Sequence, residues 1–324
     1  MKYRNLGRSG LKVSELSLGS WITFGNALDV NGVRACMQRA FDLGVNFFDN
    51  AEVYAKGESE SLMGEALRHF RREDLVISTK IYWGGNGPND TGLSWKHLVE
   101  GTRNSLRRLR LQYVDLLYCH RADPTTPIEE TVRAMDFIIR SGYAFYWGTS
   151  EWPADQLASA YETALRLNCI PPSMEQPQYN MFGRDRVERE YEPLFKRYGL
   201  GLTTWSPLAS GVLSGKYNDG IPHGSRLEKN EWLRPELTPS KVQKVRLLAE
   251  LARELECTTA QLAIAWCLKN PNVSSVITGA SSVQQIEENM EAVTIKDRLT
   301  EPVLAQIEEI LVSARGPGEG EQRA

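Results

Sequence analysis

Four residues in this chain carry the groups that acid–base work on a carbonyl oxygen needs: Asp49, Tyr54, Lys80 and His120. Asp49, Lys80 and His120 each close a predicted strand, Asn46–Asp49, Leu75–Lys80 and Tyr113–His120, and Tyr54 follows five residues after the first of them. Taken alone, a loop tyrosine or a strand-end lysine is usually a solvated residue, and a histidine after a strand is more often packed core. Placement at the ends of three successive strands sets these apart. A free phenol has a pKa of about 10 and donates poorly near neutrality, whereas a close ammonium stabilises the phenolate and lowers that value. Lys80 is expected to supply that charge, Asp49 to hold the ammonium in place, and His120 to polarise a carbonyl by hydrogen bonding. The chemistry implied is protonation of an oxygen on which negative charge builds, as in carbonyl reduction.

Such a reduction needs a hydride donor, and without a metal site the natural one is a nicotinamide. Trp21, after the first barrel-type strand, and Trp205, near the end of the seventh, are placed to stack on a flat ring. Ser150 and Gln176 end the fifth and sixth strands and suit a carboxamide. After the last strand the chain reads Gly279-Ala280-Ser281-Ser282 and enters a helix, where free N–H groups would face a phosphate. The long segment Ser206–Thr238 contains Lys216 and Arg226, two cations able to close over a pyrophosphate or a ribose 2′-phosphate. Trp21, Tyr54, Trp83, His120 and Trp152 suggest an aromatic-walled substrate pocket. The histidines His69, His97, His120 and His223 do not assemble a three-ligand metal cluster, since His69 and His97 fall on predicted helices.

Positioning these groups requires a repeating scaffold. Eight predicted strands, Leu16–Gly19, Asn46–Asp49, Leu75–Lys80, Tyr113–His120, Ala144–Ser150, Ser173–Gln176, Gly201–Ser206 and Ser275–Thr278, alternate with amphipathic helices. The helices are predicted at Val33–Leu43, Ser59–Phe70, Ser94–Leu109, Ile128–Ser141, Pro153–Leu167, Val187–Tyr198, within Lys241–Leu268, and at Ser282–Ala292. Gly44 and Gly199 supply helix stops, and Ser282 with Gln285 fits a capping box. An open dinucleotide-binding sheet would show Gly-x-Gly-x-x-Gly after its first strand, and Gly19–Gly25 does not match. Gly211–Tyr217 resembles a P-loop but is one residue short and ends in Tyr. A closed (β/α)8 TIM barrel is therefore expected, with Tyr3–Val13 as an N-terminal β-hairpin capping its bottom, a long loop after the seventh strand and an extra C-terminal helix. One such barrel should occupy residues 1–315, leaving 316–324 as part of a Gly- and Glu-rich disordered tail.

Composition narrows the function classes. Of 324 residues, 41% are hydrophobic and 24% charged, which excludes a wholly disordered or fibrous chain. Lys plus Arg number 38 against 41 Asp plus Glu, a net charge of −3, so nucleic acid and anionic membranes are not expected partners. The longest apolar run, Leu262–Leu268, is far short of a membrane span of about 20 residues, and the first residues lack a secretory pattern. A cytoplasmic location is expected. The five cysteines contain no Cys-x-x-Cys and are expected as small buried residues.

Over nearly its whole length the chain resembles the aldo-keto reductases. The segments that carry the likeness are Gly44-Val45-Asn46-Phe47-Phe48-Asp49 with Ala51-Glu52-Val53-Tyr54, and Thr79-Lys80-Ile81-Tyr82-Trp83-Gly84-Gly85. Tyr146–Ser150, Thr204–Ala209, Ser214–Tyr217 and Gln261–Leu268 are most similar to the branch of voltage-gated potassium channel β subunits and their bacterial relatives. The resemblance implies reduction of aldehydes or ketones with NADPH, Tyr54 as the general acid, Lys80 and Asp49 tuning it, and His120 orienting the carbonyl. It assigns to the cofactor Trp21, Asp49, Ser150, Gln176, Trp205, Ser206, Pro207, Leu208, Ala209, Lys216, Arg226, Gly279, Ser281, Gln285, Glu288 and Asn289. It also implies a homo-oligomer, a tetramer or larger ring, and as an alternative a regulatory NADPH-binding subunit of a membrane channel. His120 stands where animal channel subunits typically have Asn, which favours a working enzyme. Glu151 and Gly224 depart from the pattern, next to the carboxamide-binding serine and at the cofactor clasp.

Overall fold

Eight short strands run parallel and close on themselves, so that no strand is left with an open edge. The computed structural model describes residues 1–313, and the predicted tail 316–324 lies outside them. The described chain falls into two compact groups: Met1–Pro177 with Asp185–Trp205 and Asn272–Glu287, and Gln178–Arg184 with Ser206–Pro271 and the described residues from Glu288 on.

The first group holds the barrel. Its strands are β3 (Leu16–Gly19), β4 (Phe47–Asp49), β5 (Val76–Ile81), β6 (Val114–Cys119), β7 (Ala144–Thr149), β8 (Met174–Glu175), β9 (Gly201–Thr204) and β10 (Val273–Gly279), preceded by an antiparallel hairpin of β1 (Tyr3–Asn5) and β2 (Lys12–Ser14). The barrel order is β10-β3-β4-β5-β6-β7-β8-β9, closed by pairing of β9 with β10. Between strands run α1 (Val30–Asp42), α2 (Glu58–Leu67), α3 (Trp95–Leu109), α4 (Ile128–Arg140), α5 (Ala154–Arg166) and α6 (Glu192–Tyr198). The expected elements are present with ends displaced by a few residues. The predicted helix Val187–Tyr198 is divided: Arg186–Glu190 is wound wide, and α6 starts afresh with Pro193 in its first turn, where a missing N–H is harmless. At Ser282 the capping arrangement is also offset. Ser282 Oγ accepts from the Gln285 amide, but Gln285 Oε1 accepts from Ser281.

Successive inward positions lie two residues apart, so β4, β5, β6 and β8 climb from an apolar floor to a polar rim. Phe47, Val76, Leu116 and Met174 form the floor, and Leu6 and Val13 of the hairpin segment pack into the same cluster. The steps end at Asp49, Lys80, His120 and Gln176. The hairpin plugs the bottom through close backbone contact. Gly7, at φ +54°, donates its amide toward Ser274 Oγ, and a Cβ there would stand 2.4 Å from the Gly199 carbonyl and 2.5 Å from the Gly201 nitrogen. Only glycine fits.

The second group is helical. Its long segment after β9 contains short turns at Ala209–Ser214, Arg226–Lys229 and Glu231–Glu236, followed by helices Pro239–Glu254 and Thr259–Lys269, and a C-terminal helix, Glu301–Ser313. A capping box joins Thr258 and Gln261, a Thr-x-x-Gln signal readable in the sequence but not singled out there. Cys36, Cys119 and Cys267 are buried, and Cys169 and Cys257 half-buried. Among the described residues no helix is long and apolar enough to cross a membrane.

Gly7→Ala should cost about 2–4 kcal/mol of unfolding free energy, from overpacking against backbone and a left-handed φ. Urea denaturation checks it against Gly10→Ala, whose added Cβ would meet nothing within 4 Å.

Candidate active site

Lys80 is fully buried at the end of β5, and its three ammonium hydrogens are all used. Nζ donates to Asp49 Oδ2 at 2.5 Å, to the Asn50 carbonyl at 2.7 Å and to the Tyr54 hydroxyl at 3.1 Å. The other carboxylate oxygen of Asp49 accepts from Ser78 Oγ at 2.7 Å and from Gln176 Nε2 at 3.0 Å. Gln176 also reaches Thr203 Oγ1, which lies 2.9 Å from the Tyr118 hydroxyl. Thus Ser78, Tyr118 and Thr203, none singled out in the sequence, complete a network around the pair. Their signal was available: Ser78 and Tyr118 lie two residues before Lys80 and His120, on the inward face, and Thr203 lies two before Trp205.

Tyr54 stands on a turn in which Ala55, Lys56 and Gly57 all take positive φ, +47°, +56° and +89°. For the two L-residues that conformation costs about 1–2 kcal/mol each, so the surroundings hold it. Next to it, buried Glu52 accepts from the Tyr82 amide at 2.7 Å and meets His97 Nε2 at 3.1 Å, which fixes the chain entering Trp83. The rings of Tyr54 and His120 lie 5.9 Å apart, and those of His120 and Trp83 5.1 Å apart, all edge to face. Trp83 is 37% exposed. Trp152 is not part of this open wall: it is buried, with its backbone amide on Glu175 Oε1 and its carbonyl accepting from the Tyr191 hydroxyl.

Burial raises the Tyr54 phenol above its ordinary 10.0, the Lys80 charge opposes this, and the Asp49 charge adds to it. The lowering expected from Lys80 is present but outweighed, so Tyr54 keeps its proton through the neutral range. Burial alone would lower Lys80; Asp49 and then Tyr54 overcome it and leave the ammonium above its ordinary value. His120 is held well below the usual imidazole value by burial, then by the charges of Lys80 and Arg121. Its ring is therefore neutral near pH 7 and carries a single N–H. That ring makes no hydrogen bond to any described residue, and Nδ1 is buried without a partner.

Elsewhere on the rim, Trp21 and Trp205 are half-buried and meet edge to face, centroids 5.7 Å apart. Glu151, which departs from the family pattern, accepts from Trp205 Nε1 at 2.9 Å and pairs through its other oxygen with Arg186. Ser150 Oγ donates to the Gln176 carbonyl at 3.0 Å. Ser20 Oγ and Thr204 Oγ1, at the ends of β3 and β9, are buried without partners among the described residues, and Gly279 at the end of β10 has open space where a side chain would project. Ser281 and Gln285 follow at the start of the next helix.

The remaining cofactor candidates lie in the second group. Ser206 has φ +56° and accepts from Asn180 on its carbonyl and from the Ser210 amide on its hydroxyl; Pro207, Leu208 and Ala209 lie between. The Lys216 ammonium sits 5.1 Å over the Tyr217 ring. Arg226 is half-buried at the head of its short helix, and burial pulls its guanidinium below the ordinary value. Glu288 accepts from Gln261 Nε2 on its carbonyl, and Asn289 is buried. Gly224 is exposed, at φ +74°, its amide donating to Glu228. Among the described residues no group of three His, Cys, Asp or Glu is arranged to hold a metal ion.

A parallel eight-stranded barrel with Asp, Tyr, Lys and His gathered on one rim defines the class. The pattern of the aldo/keto reductase family matches residues 15–312, and the chain belongs to that family of oxidoreductases. It is 58% identical to an Arabidopsis thaliana protein named "Probable voltage-gated potassium channel subunit beta", over 97% of each chain. A protein of the same name from Oryza sativa subsp. japonica is 56% identical, again over 97% of each.

Removing one member of the buried pair strands the other. Lys80→Met should lose about 3–5 kcal/mol of stability, and Asp49→Asn combined with it should recover part of that loss, as read from denaturant midpoints.

Proposed function

We propose that the protein reduces aldehydes or ketones to alcohols with NADPH, using Tyr54 as the proton donor. The observation that carries this reading is the Asp49–Lys80–Tyr54 hydrogen-bond chain beside a neutral His120. When bound, the nicotinamide supplies a hydride to the carbonyl carbon. Tyr54 gives its proton to the carbonyl oxygen, and the phenolate left behind accepts from the Lys80 ammonium. Asp49 keeps that ammonium charged. The His120 N–H polarises the carbonyl without competing as an acid, because its ring is already neutral.

The cofactor reading is supported by the rim itself. Unpartnered buried polar atoms on Ser20, His120 and Thr204 suit a polar ligand lying across the strand ends. Trp21 and Trp205 would bound the nicotinamide, Ser150 and Gln176 its carboxamide, and Gly279, Ser281 and Gln285 a phosphate. The roles of Ser206 to Ala209, Lys216, Arg226, Glu288 and Asn289 rest on the family resemblance. A second reading, association with a membrane channel, is favoured by the names of the relatives; a co-purification search for an integral membrane partner tests it.

Tyr54→Phe should lower kcat with an aromatic aldehyde by about 100-fold or more while nucleotide binding, followed by NADPH fluorescence, is retained. The wild-type rate should stay level with rising pH up to the ordinary tyrosine value of 10.0, because the donor is protonated below its raised pKa. If Lys216 and Arg226 hold the 2′-phosphate, Lys216→Met and Arg226→Met should weaken NADPH by about tenfold or more and NADH by much less, measured as dissociation constants.

A further inference from the structure

Beside the proton donor stands a cation that no carboxylate of the described residues neutralises. Arg121 follows His120 directly and is half-buried at the rim. Its Nη1 donates to the His120 carbonyl and, at 3.4 Å, to Ser150 Oγ, and the guanidinium carbon lies 5.5 Å over the Trp83 ring. These partners are uncharged. Among the described residues Arg121 makes no ion pair, and its Nε and Nη2 make no hydrogen bond. The neighbouring carboxylate, Asp123, is occupied elsewhere by the Leu93 and Thr125 amides and the Thr125 and Thr126 hydroxyls. Two further cations described at the rim are already matched, Lys80 by Asp49 and Arg186 by Glu151.

We propose that Arg121 is an anion-recognition group and that the preferred substrates are carbonyl compounds carrying a carboxylate. The proposal rests on the reductase reading and specifies its substrate class. A guanidinium held by a carbonyl and an aromatic face, with one donor edge unused, matches the planar two-oxygen edge of a carboxylate. One uncompensated positive charge balances a monoanion better than a phosphate carrying close to two negative charges. Trp83 ties the group to the reacting centre, since its ring touches both His120 and the guanidinium. The Arg121 charge is also among those acting on Tyr54 and His120. The chain's acidity as a whole, a net −3, is no obstacle to a site decided by a single local charge.

The test compares 4-carboxybenzaldehyde with methyl 4-formylbenzoate, its uncharged ester, in the NADPH-loaded protein. The expected result is a kcat/KM ratio of about tenfold or more in favour of the acid. Arg121→Met should cut that ratio by about tenfold or more, mainly through KM for the acid, and Arg121→Lys should keep part of it. A ratio unchanged in Arg121→Met overturns the proposal. A second arm needs no turnover: calorimetric titration of the NADP+-loaded protein with 4-methylbenzoate and with 4-methylbenzamide. Binding of the benzoate alone, lost in Arg121→Met, supports the assignment; equal binding of both overturns it, and so does displacement of the benzoate by equimolar inorganic phosphate. If the wild type reduces neither aldehyde, the reductase reading fails and this arm still decides the role of Arg121.

Discussion

A lysine buried without solvent contact is the constraint on which the rest of this rim depends. Removing an ammonium and a carboxylate from water costs several kcal/mol each, and mutual attraction offsets this only when the remaining hydrogen-bonding capacity is met. Here it is met on both sides. Lys80 spends its three donors on Asp49, Asn50 and Tyr54, and Asp49 takes two further hydrogen bonds from Ser78 and Gln176. Those groups come from β4, β5, the loop after β4 and the end of β8. A shift of register in any of these strands would turn an inward polar group outward and leave a buried charge unsatisfied.

The same alternation that supplies the polar rim supplies the apolar floor. Steps of two residues carry Phe47 to Asp49, Leu116 through Tyr118 to His120, and Met174 to Gln176, while the hairpin brings Leu6 and Val13 up from below. The bottom is closed by backbone against backbone at Gly7, Gly199 and Gly201, which leaves only the other end of the strands for chemistry. Strain sits at that end too, in the left-handed turn that follows Tyr54.

Electrostatically the rim separates three tasks. Tyr54 is kept protonated by burial, Lys80 is kept charged by Asp49, and His120 is kept neutral by burial and two nearby cations. Each value is moved by a different balance of the same forces. Desolvation is the largest influence on all three, and only at Lys80 do the charges of Asp49, 2.5 Å away, and of Tyr54 together outweigh it. Arg121 makes no ion pair among the described residues, and so is the natural place for the polarity of a substrate to be read.

What the amino-acid order settled by itself is the periodic part of the molecule. The eight strands, the hairpin, the alternating helices and the convergence of Asp49, Tyr54, Lys80 and His120 follow from alternation and turn residues acting over short stretches. The break within Val187–Tyr198 leaves no mark on the sequence pattern, because Pro193 interrupts hydrogen bonding without interrupting the apolar period. Trp152 read as a pocket wall because composition does not tell an open aromatic from a buried one. The direction of the Tyr54 shift, the bond between Glu151 and Trp205, and the isolation of Arg121 were decided only in three dimensions. They depend on desolvation and on partners distant in sequence, as Asp123 with Leu93 and Glu151 with Arg186 show. Local sequence carries no term for either.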